Sequence, residues 1–423
     1  MTAALLALNR RTFASLRYRN YRLFFAGQVV SVTGTWMQRV AQAWLVLQLT
    51  HSAVAVGILA LAQFLPFSTF GLVAGVLVDR FDPRRLVIAT QATVMALAAL
   101  LAGLAFTGSA EAWHVYVIGF LSGTVMVLDA PARQALTYRM VGPHELANAV
   151  ALNSSLFNGA RIFGPGIGGL VIAAFGAGVC FALNAVSFLA VLAGLLAMRV
   201  QDLHPVTFQE RPTLLRGVIE GFAYVRRSRR AMIVLLLVAV VSMFAVNNNV
   251  LLPVLAKRTL DSGPGTFGLL SAFFGAGALI GGLATAAIGR AHLKPLLLGA
   301  AGFGASQLLL APERSLWVAL VLLLIGGVCF MLWSSNANSL LQLEAPDHLR
   351  GRIVGLYFYG FAGTGSVGGL LAGWLASVGG TELAYAVGGA VSLAAAVAAA
   401  VAFGAAERFT ERWSRPFTAE TRP

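Results

Sequence analysis

The chain has 423 residues, of which 58% are hydrophobic and only 11% are charged, and its mean hydropathy is +0.80. Apolar runs of about 20 residues recur along it, which excludes an ordinary soluble protein and indicates a polytopic membrane protein. The net charge of +14 could suggest a nucleic-acid partner, but no basic run is interleaved with aromatic residues, so we expect none.

The apolar runs predict twelve membrane-spanning helices. They lie at about residues 21–49, 54–78, 85–107, 113–135, 147–175, 178–198, 231–255, 264–289, 294–311, 315–341, 350–378 and 383–405. If both termini are cytoplasmic, all but five of the 30 Lys and Arg residues fall on the cytoplasmic side. This positive-inside distribution predicts the orientation and explains the basic charge without a polyanionic partner.

One face of the first span is polar. It carries Gln28, Ser31, Thr35, Arg39 and Gln42 at spacings of three and four residues. Such a face cannot point at lipid without losing hydrogen bonds to water, so we expect it to line a substrate cavity or, alternatively, a neighbouring helix. Arg39 lies too deep to reach the surface. It is either a fixed positive group for an anionic or hydrogen-bond-accepting substrate, or a partner for a polar neighbour.

A charged turn separates the second and third spans. It contains Gly75, Asp79, Arg80, Asp82, Pro83, Arg84 and Arg85. A small residue, an Asp-Arg pair four positions later and a following basic pair resemble the signature loop of the Major Facilitator Superfamily of transporters. Asp82 and Pro83 depart from that pattern, because they stand where the superfamily usually has a glycine and a basic residue.

The resemblance implies an all-α membrane protein with twelve transmembrane helices in two six-helix bundles, related by pseudo-two-fold symmetry, with a substrate site between them. It also implies that the turn is a conformational latch formed by Gly75, Asp79, Arg80, Arg84 and Arg85. In this arrangement Asp79 faces the positive N-terminal end of the eleventh helix, which here begins near Arg350. The alternative is a loop acid that pairs with a neighbouring arginine.

Acidic residues are scarce within the spans. Asp129 alone lies inside one, near the cytoplasmic end of the fourth span and four residues before Arg133. Proton coupling needs a group that changes charge, and Asp129 is the obvious candidate. An ordinary ion pair with Arg133 at the membrane edge explains its position equally well.

The fifth span is rich in small residues. It contains Ala151, Ala160, Arg161, Gly164, Pro165, Gly168 and Gly169, and resembles the glycine-proline motif of the antiporter branch of the superfamily, with Ala151 and Ala160 replacing two glycines. The resemblance implies export, whereas close packing of small residues in a membrane helix is the simpler alternative. Arg161 shares a face with Asn158, and it invites the same two interpretations as Arg39.

The two halves of the chain echo each other at an offset of about 200 residues, close to the size of one half. Gly168-Gly169-Leu170 has its counterpart in Gly368-Gly369-Leu370. We therefore predict an N-terminal six-helix bundle (1–199), a cytoplasmic linker with an amphipathic helix (200–230), a C-terminal six-helix bundle (231–410) and a cytoplasmic tail (411–423).

The second half also offers polar and aromatic groups for a cavity. They are Asn247 and Asn248 in the seventh span, Trp333 and Asn336 in the tenth, and Tyr357 in the eleventh. Together with the polar face of the first span and with Asn158 and Arg161, these residues predict a cavity of amides, hydroxyls and aromatic rings.

Enzyme motifs such as HExxH, GxSxG, CxxC and a phosphate-binding loop are absent, so we expect neither an enzyme nor a cofactor or metal site. Gly27-Gln28, Ser31 and Trp36 resemble the bacterial branch that holds siderophore exporters and macrolide efflux pumps. The resemblance implies an inner-membrane, proton-coupled, monomeric exporter of a drug-like or siderophore-like molecule that works by alternating access. The alternatives are a lipid or lysolipid flippase and a non-transporting receptor or scaffold of the same fold.

Overall fold

The computed structural model describes residues 13–78, 80–205, 214–288, 291–346 and 349–414, and within these ranges the regular structure is entirely helical. The helices are α1 (Arg19–Thr50), α2 (Ala53–Val78), α3 (Pro83–Phe106), α4 (Ala112–Phe175), α5 (Ala177–Leu196), α6 (Leu214–Arg227), α7 (Arg229–Phe244), α8 (Asn248–Val254), α9 (Pro264–Ile288), α10 (Leu293–Leu310), α11 (Leu316–Glu344), α12 (Arg350–Phe358) and α13 (Thr364–Ser414). Two π-helical turns, Leu255–Thr259 and Tyr359–Gly363, follow α8 and α12.

Twelve passes across a membrane follow from these helices. In the described part of the chain, nine helical segments are long and apolar enough to cross a bilayer. Two of them, Ala112–Phe175 and Arg350–Gly404, are interrupted at Gly142 and at Gly379 and Gly380, so each holds two passes. The 32-residue α1 is the remaining pass. It is not among the nine apolar segments because its polar residues lower its hydropathy. The twelve predicted spans are confirmed.

Large apolar side chains cover the outside of the bundle. Trp317 is 76% exposed, and Phe175 and Leu298 are each 71% exposed. A surface so rich in exposed apolar groups is more stable against lipid than against water, because contact of apolar surface with water is unfavourable. The protein is therefore a membrane protein, as its composition predicted.

The helices pack as two bundles. Helices α1–α5 pack against one another, as do α7–α13, and the main contacts between the bundles join α4 to α9 and α2 to α13. A Cβ added to Gly57 would lie 2.7 Å from the Gly369 oxygen, and one added to Gly268 would lie 2.8 Å from the Gly169 Cα. Gly169 and Gly369 occupy equivalent positions of the repeat. Equivalent glycines thus bring the bundles together twice, which confirms the predicted pseudo-two-fold arrangement.

The turn between α2 and α3 is built around Asp82. Its carboxylate accepts a hydrogen bond from the Arg85 N–H (3.0 Å) and so caps the N-terminus of α3, and it also pairs with Arg139 of α4 (2.6 Å). Pro83 is the first helical residue, where its missing N–H costs no hydrogen bond. The two departures from the superfamily pattern therefore form a helix start that is tied to α4.

The two arginines of the same turn, Arg84 and Arg85, have different environments. The Arg84 Nε donates to the Leu195 carbonyl at the C-terminal end of α5 (3.0 Å), and the side chain of Arg85 is exposed. Arg80 is also exposed. Asp79, the acid of the predicted latch, lies outside the described residues, and Gly75 lies in a part of α2 whose burial is not described.

Asp82→Asn should remove the ion pair with Arg139 while keeping the helix cap. Partial burial alone raises the pKa of Asp82, but the hydrogen bonds from Arg85 and Arg139 and the charge of Arg139 outweigh it, so the pKa lies below its ordinary 3.8. The stabilisation is thus complete above pH 3.8 and is lost as the pH falls through the lowered pKa. We expect a loss of about 0.2–1 kcal/mol at pH 7.

Unfolding of the detergent-solubilised protein between pH 7 and pH 3 tests this prediction. The difference between the natural protein and Asp82→Asn should shrink at acid pH, whereas Asp82→Ala should cost about 1 kcal/mol more because it also removes the cap. A difference that stays constant down to pH 3 contradicts the assigned ion pair.

In the segment predicted as a linker, the structure has the helix α6 (Leu214–Arg227). Its Ile219 and Phe222 are exposed, while Val225 is buried against the C-terminal bundle. Glu220 pairs with Arg352 at the start of α12, and the Tyr224 hydroxyl donates to the Glu344 carbonyl (2.6 Å). The linker therefore docks onto the end of the second bundle where α11 ends and α12 begins.

Candidate functional site

Two ends of the bundle are distinguished here by their turns. The His51 end holds the turn between α1 and α2, and the Asp82 end holds the turn between α2 and α3. A cavity of about 240 Å³ lies between the two bundles, roughly midway between these ends. Its lining includes Trp36, Arg39, Gln63, Phe64 and Arg161 from the first bundle, and Asn248, Asn249, Phe274, Phe330 and Phe361 from the second.

Two guanidinium groups of the cavity share one aromatic ring. The Cζ of Arg39 lies 4.9 Å from the centre of the Trp36 ring, and the Cζ of Arg161 lies 5.2 Å from the same centre. Cation–π attraction to the ring holds both groups in place. Among the described residues, neither guanidinium forms an ion pair with a carboxylate. This side of the cavity is therefore strongly positive.

The small residues of α4 place these groups. A Cβ on Gly164 would lie 2.5 Å from the Trp36 Cβ, and one on Gly168 would lie 3.1 Å from the Met37 Cγ. The close approach of α4 to α1 brings Arg161 within reach of the Trp36 ring. Pro165, between the two glycines, lines the cavity. The glycine-proline pattern therefore determines the distance between the two arginine-bearing helices.

The opposite side of the cavity is aromatic and comes from the second bundle. The ring centres of Phe274 and Phe330 lie 5.5 Å apart, and those of Phe330 and Phe361 lie 6.2 Å apart. Phe361 belongs to the π-helical turn between α12 and α13. Such turns often occur at functional sites, because the extra residue re-aims the side chains around it.

The cavity is closed towards the His51 end. Trp44 of α1 stacks on Phe267 of α9 with ring centres 6.3 Å apart, and the Lys257 Nζ lies 5.8 Å from the Trp44 ring centre. Arg258 donates a hydrogen bond to the His51 carbonyl across the two bundles. A cation, two stacked rings and the glycine contacts thus separate the cavity from this end.

A second cavity of about 520 Å³ lies between α4, α9 and α11, towards the Asp82 end. Its polar lining consists of Ser154, Ser155, Asn158, Thr285, Ser335 and Ser339. Hydroxyl and amide groups can exchange hydrogen bonds with water or with a polar solute. The bundles are therefore separated here by a space with both polar and apolar lining residues, in contrast to the close packing at the His51 end.

The residues of the predicted polar face make different kinds of contact in the structure. Arg39 lines the first cavity, whereas Gln28 accepts a hydrogen bond from Arg133 of α4. Gln42 accepts one from the Gln63 amide (2.9 Å), which links α1 to α2. Ser31 is buried, and its carbonyl accepts a bond from the Thr35 hydroxyl (2.9 Å). Two residues of the polar face therefore join helices, two are bonded within α1, and only Arg39 lines the cavity.

The predicted residues of the second half also separate into lining and packing groups. Asn248 lines the first cavity. Asn247 donates to the Met243 carbonyl (2.9 Å), and Asn336 accepts from the His292 N–H at the start of α10 (3.1 Å). Trp333 is fully buried, and the Tyr357 hydroxyl donates to the Ser334 carbonyl (3.1 Å). These contacts position α8, α10 and α12 around the cavity.

Asp129 is fully buried and lies outside both cavities. It forms an ion pair with Arg133 and accepts hydrogen bonds from the Thr90 hydroxyl (2.6 Å) and the Gln91 amide (2.9 Å) of α3. Because Arg133 also donates to Gln28, the cluster connects α1, α3 and α4. In the described chain no three His, Cys, Asp or Glu side chains lie close enough to hold a metal ion.

Sequence reasoning did not assign several lining residues to the site. Trp36 carried a usable signal, since it stands three residues before Arg39 and so shares its helix face. Gln63 is a lone amide in an otherwise apolar span, which is also a signal. Phe330 and Phe361 had no such signal in the sequence, because aromatic residues in a membrane helix face lipid as readily as a cavity.

The family comparison matches nearly the whole chain. A family model described as transmembrane secretion effector covers residues 10–416. Macrolide efflux protein A of Streptococcus pyogenes is 26% identical over 80% of this chain and 86% of its own length. The multidrug efflux pump Tap of Mycolicibacterium fortuitum is 29% identical over 83% of this chain and 88% of its own length.

The fold has counterparts among solved structures. The structure of a POT family transporter in complex with a thioalcohol-conjugated peptide superposes with a TM-score of 0.74. The match covers 92% of this chain and 96% of that one at 12% sequence identity. At this identity the likeness concerns the fold alone.

Proposed function

We propose, since this chain belongs to the transmembrane secretion effector family of the Major Facilitator Superfamily, that it exports a small organic molecule across the bacterial inner membrane by alternating access. The molecule is drug-like or siderophore-like. The similarity to macrolide and multidrug efflux proteins supports this substrate range.

The cavity between the two bundles carries the proposal. It lies midway between the ends, and the stacked Trp44 and Phe267 rings close it towards the His51 end. With the Asp82 end in the cytoplasm, as the positive-inside distribution predicts, this arrangement corresponds to a state that receives substrate from the cytoplasm. Rocking of the bundles about the cavity then opens the His51 end for release.

Exchange for protons is the proposed energy source, and Asp129 is the proposed carrier. Among the described residues it is the single carboxylate that is fully buried. Protonation would remove the negative charge that pairs with Arg133 and accepts from Thr90 and Gln91, and so weaken the hydrogen bonds that connect α3 to α4. Such a change alters helix packing within the first bundle, which moves relative to the second bundle during transport.

Asp79→Asn should reduce transport while leaving the amount of protein in the membrane unchanged. In the proposed latch, Asp79 stabilises one of the two states by facing the positive end of α12 near Arg352. An interaction at a helix terminus contributes about 0.3–1 kcal/mol, so we expect a change of about two- to fivefold in the state populations. Asp82→Asn is the matched control, because it removes a charge of the same sign in the same turn at a residue outside the latch. Unchanged transport by Asp79→Asn contradicts the latch.

Transport into inside-out membrane vesicles tests the export proposal. A pH gradient of either sign is imposed, and macrolide-like, siderophore-like and lipophilic dye compounds are screened, with vesicles lacking the protein as the control. We expect accumulation that reverses with the gradient and that a protonophore abolishes. Gradient-independent flux contradicts proton exchange, and an absence of flux for every compound contradicts export.

The second cavity favours one alternative, movement of a lipid or lysolipid. Exposed residues of α4 and α9, including Ser154 and Leu283, line this space at the rim of the bundles, which would let a head group approach from the side. A fluorescent lysolipid placed in the inner leaflet of proteoliposomes tests it. Appearance of the lysolipid in the outer leaflet, without transport of soluble compounds, would replace drug export by lipid export. If neither the soluble compounds nor the lysolipid are moved, a receptor or scaffold is the remaining interpretation.

A further inference from the structure

The first cavity holds two positive charges on one wall. Arg39 and Arg161 both lie within about 5 Å of the Trp36 ring centre, so they belong to a single patch on the first bundle. Arg39 stands 11 residues from the end of α1 at Thr50, about 16 Å at the rise of an α-helix. The patch therefore lies deep in the membrane, in the wall of the cavity.

No described carboxylate neutralises this patch. Asp129, the buried acid, is already bound by Arg133, Thr90 and Gln91, and it lines neither cavity. Two like charges in a medium of low dielectric constant repel each other and lack solvation. The cavity should therefore be most stable when an anion lies between the two guanidinium groups, because each can donate charge-assisted hydrogen bonds to it.

The facing wall offers a different chemistry. Phe274, Phe330 and Phe361 come from α9, α11 and the π-helical turn of the second bundle, and their rings form a contiguous surface. Arg161 already lies 6.0 Å from the Phe330 ring centre, so the positive and aromatic walls meet. A flat ring gains apolar burial and edge or offset contacts against such a surface.

We propose that the cavity binds an aromatic organic anion, with its anionic group between Arg39 and Arg161 and its ring against the Phe330 and Phe361 wall. The inference deepens the proposed export function and rests on it. Because the positive wall belongs to the first bundle and the aromatic wall to the second, a ligand with both features bridges the bundles. A cation would be repelled by the two guanidinium groups, and a saturated neutral molecule has neither the negative charge nor the ring.

A compound series on one skeleton tests the proposal. The probes are 2-naphthylacetate, its amide, 2-naphthylethylamine and the fully saturated analogue of the acetate, and binding to the purified full chain in nanodiscs is measured by calorimetry. We expect the acetate to bind at least about tenfold more tightly than the amide and the amine, since one charge-assisted contact accounts for that ratio. The saturated acetate should bind about three- to tenfold more weakly than the aromatic one.

Variants assign the preference to the two walls. Arg39→Gln and Arg161→Gln should each reduce the acetate-to-amide ratio to about threefold or less, while Arg39→Lys keeps most of it. Phe361→Leu should reduce the preference for the aromatic over the saturated acetate. Arg314→Gln is the matched control, because Arg314 is 79% exposed and lies outside both cavities. The thermal transition of each variant shows whether it is folded.

The outcomes separate this inference from the export proposal. Equal binding of acetate and amide, preference for the amine, or no binding of any probe overturns the anion site. Export of neutral or cationic compounds in vesicles would then still support export. Selective binding of the acetate without vesicle transport of any compound supports the anion site and contradicts export.

Discussion

Asp129→Asn should lower the free energy of unfolding by about 3–5 kcal/mol, because it leaves the charge of Arg133 without its buried partner. The Asn side chain can still accept from Thr90 or Gln91, so the hydrogen bonds alone do not account for such a loss. Gradient-driven transport should fall to the level of empty vesicles, since the variant cannot release a proton. Unfolding and vesicle transport are measured on the same preparation.

The double variant Asp129→Asn with Arg133→Gln separates structure from proton transfer. Removing both charges should restore most of the lost stability, because no unpaired charge then remains in the cluster with Gln28. Gradient-driven transport should stay absent if Asp129 carries the proton. Recovery of gradient-driven transport together with stability would contradict the carrier role and leave Asp129 as an interhelical contact.

Gly268→Val should abolish export by preventing closure of the His51 end. The Cβ added at Gly268 would lie 2.7 Å from the Pro165 oxygen and 2.8 Å from the Gly169 Cα, which is backbone that cannot move without shifting α4. Overpacking of this kind costs about 1–3 kcal/mol, enough to change the ratio of the two states by about five- to 100-fold. We expect the open state at this end to predominate.

Labelling from the His51 end measures that shift. Ser271→Cys places a thiol in the cavity lining, and a membrane-impermeant maleimide should reach it faster when Gly268→Val is also present. Gly265→Val is the matched control on the same helix, because nothing lies within 4 Å of a Cβ at that position. Gly57→Val should act like Gly268→Val, since Gly57 contacts Gly369 at the equivalent interface. Equal labelling in Gly265→Val and Gly268→Val would contradict the role of the glycine contact.

Hydrophobicity along the chain was sufficient to predict the number of spans, because each span contributes its own apolar run and crosses the bilayer largely independently of its neighbours. The echo of Gly169 in Gly369 likewise predicted two related bundles, and the structure places both residues at equivalent contacts between them. Arg39 and Arg161 could be singled out because a charge deep in an apolar run is costly wherever the helix points.

The partners of the polar residues depended on the tertiary structure. Gln28 and Gln42 looked alike in the first span, yet Gln28 contacts Arg133 of α4 and Gln42 contacts Gln63 of α2. Phe330 and Phe361 could not be distinguished from lipid-facing residues until the packing of α11 and of the π-helical turn after α12 was known. A sequence records how apolar each helix is, but which face meets which neighbour depends on helix rotation and on contacts between residues far apart in the chain.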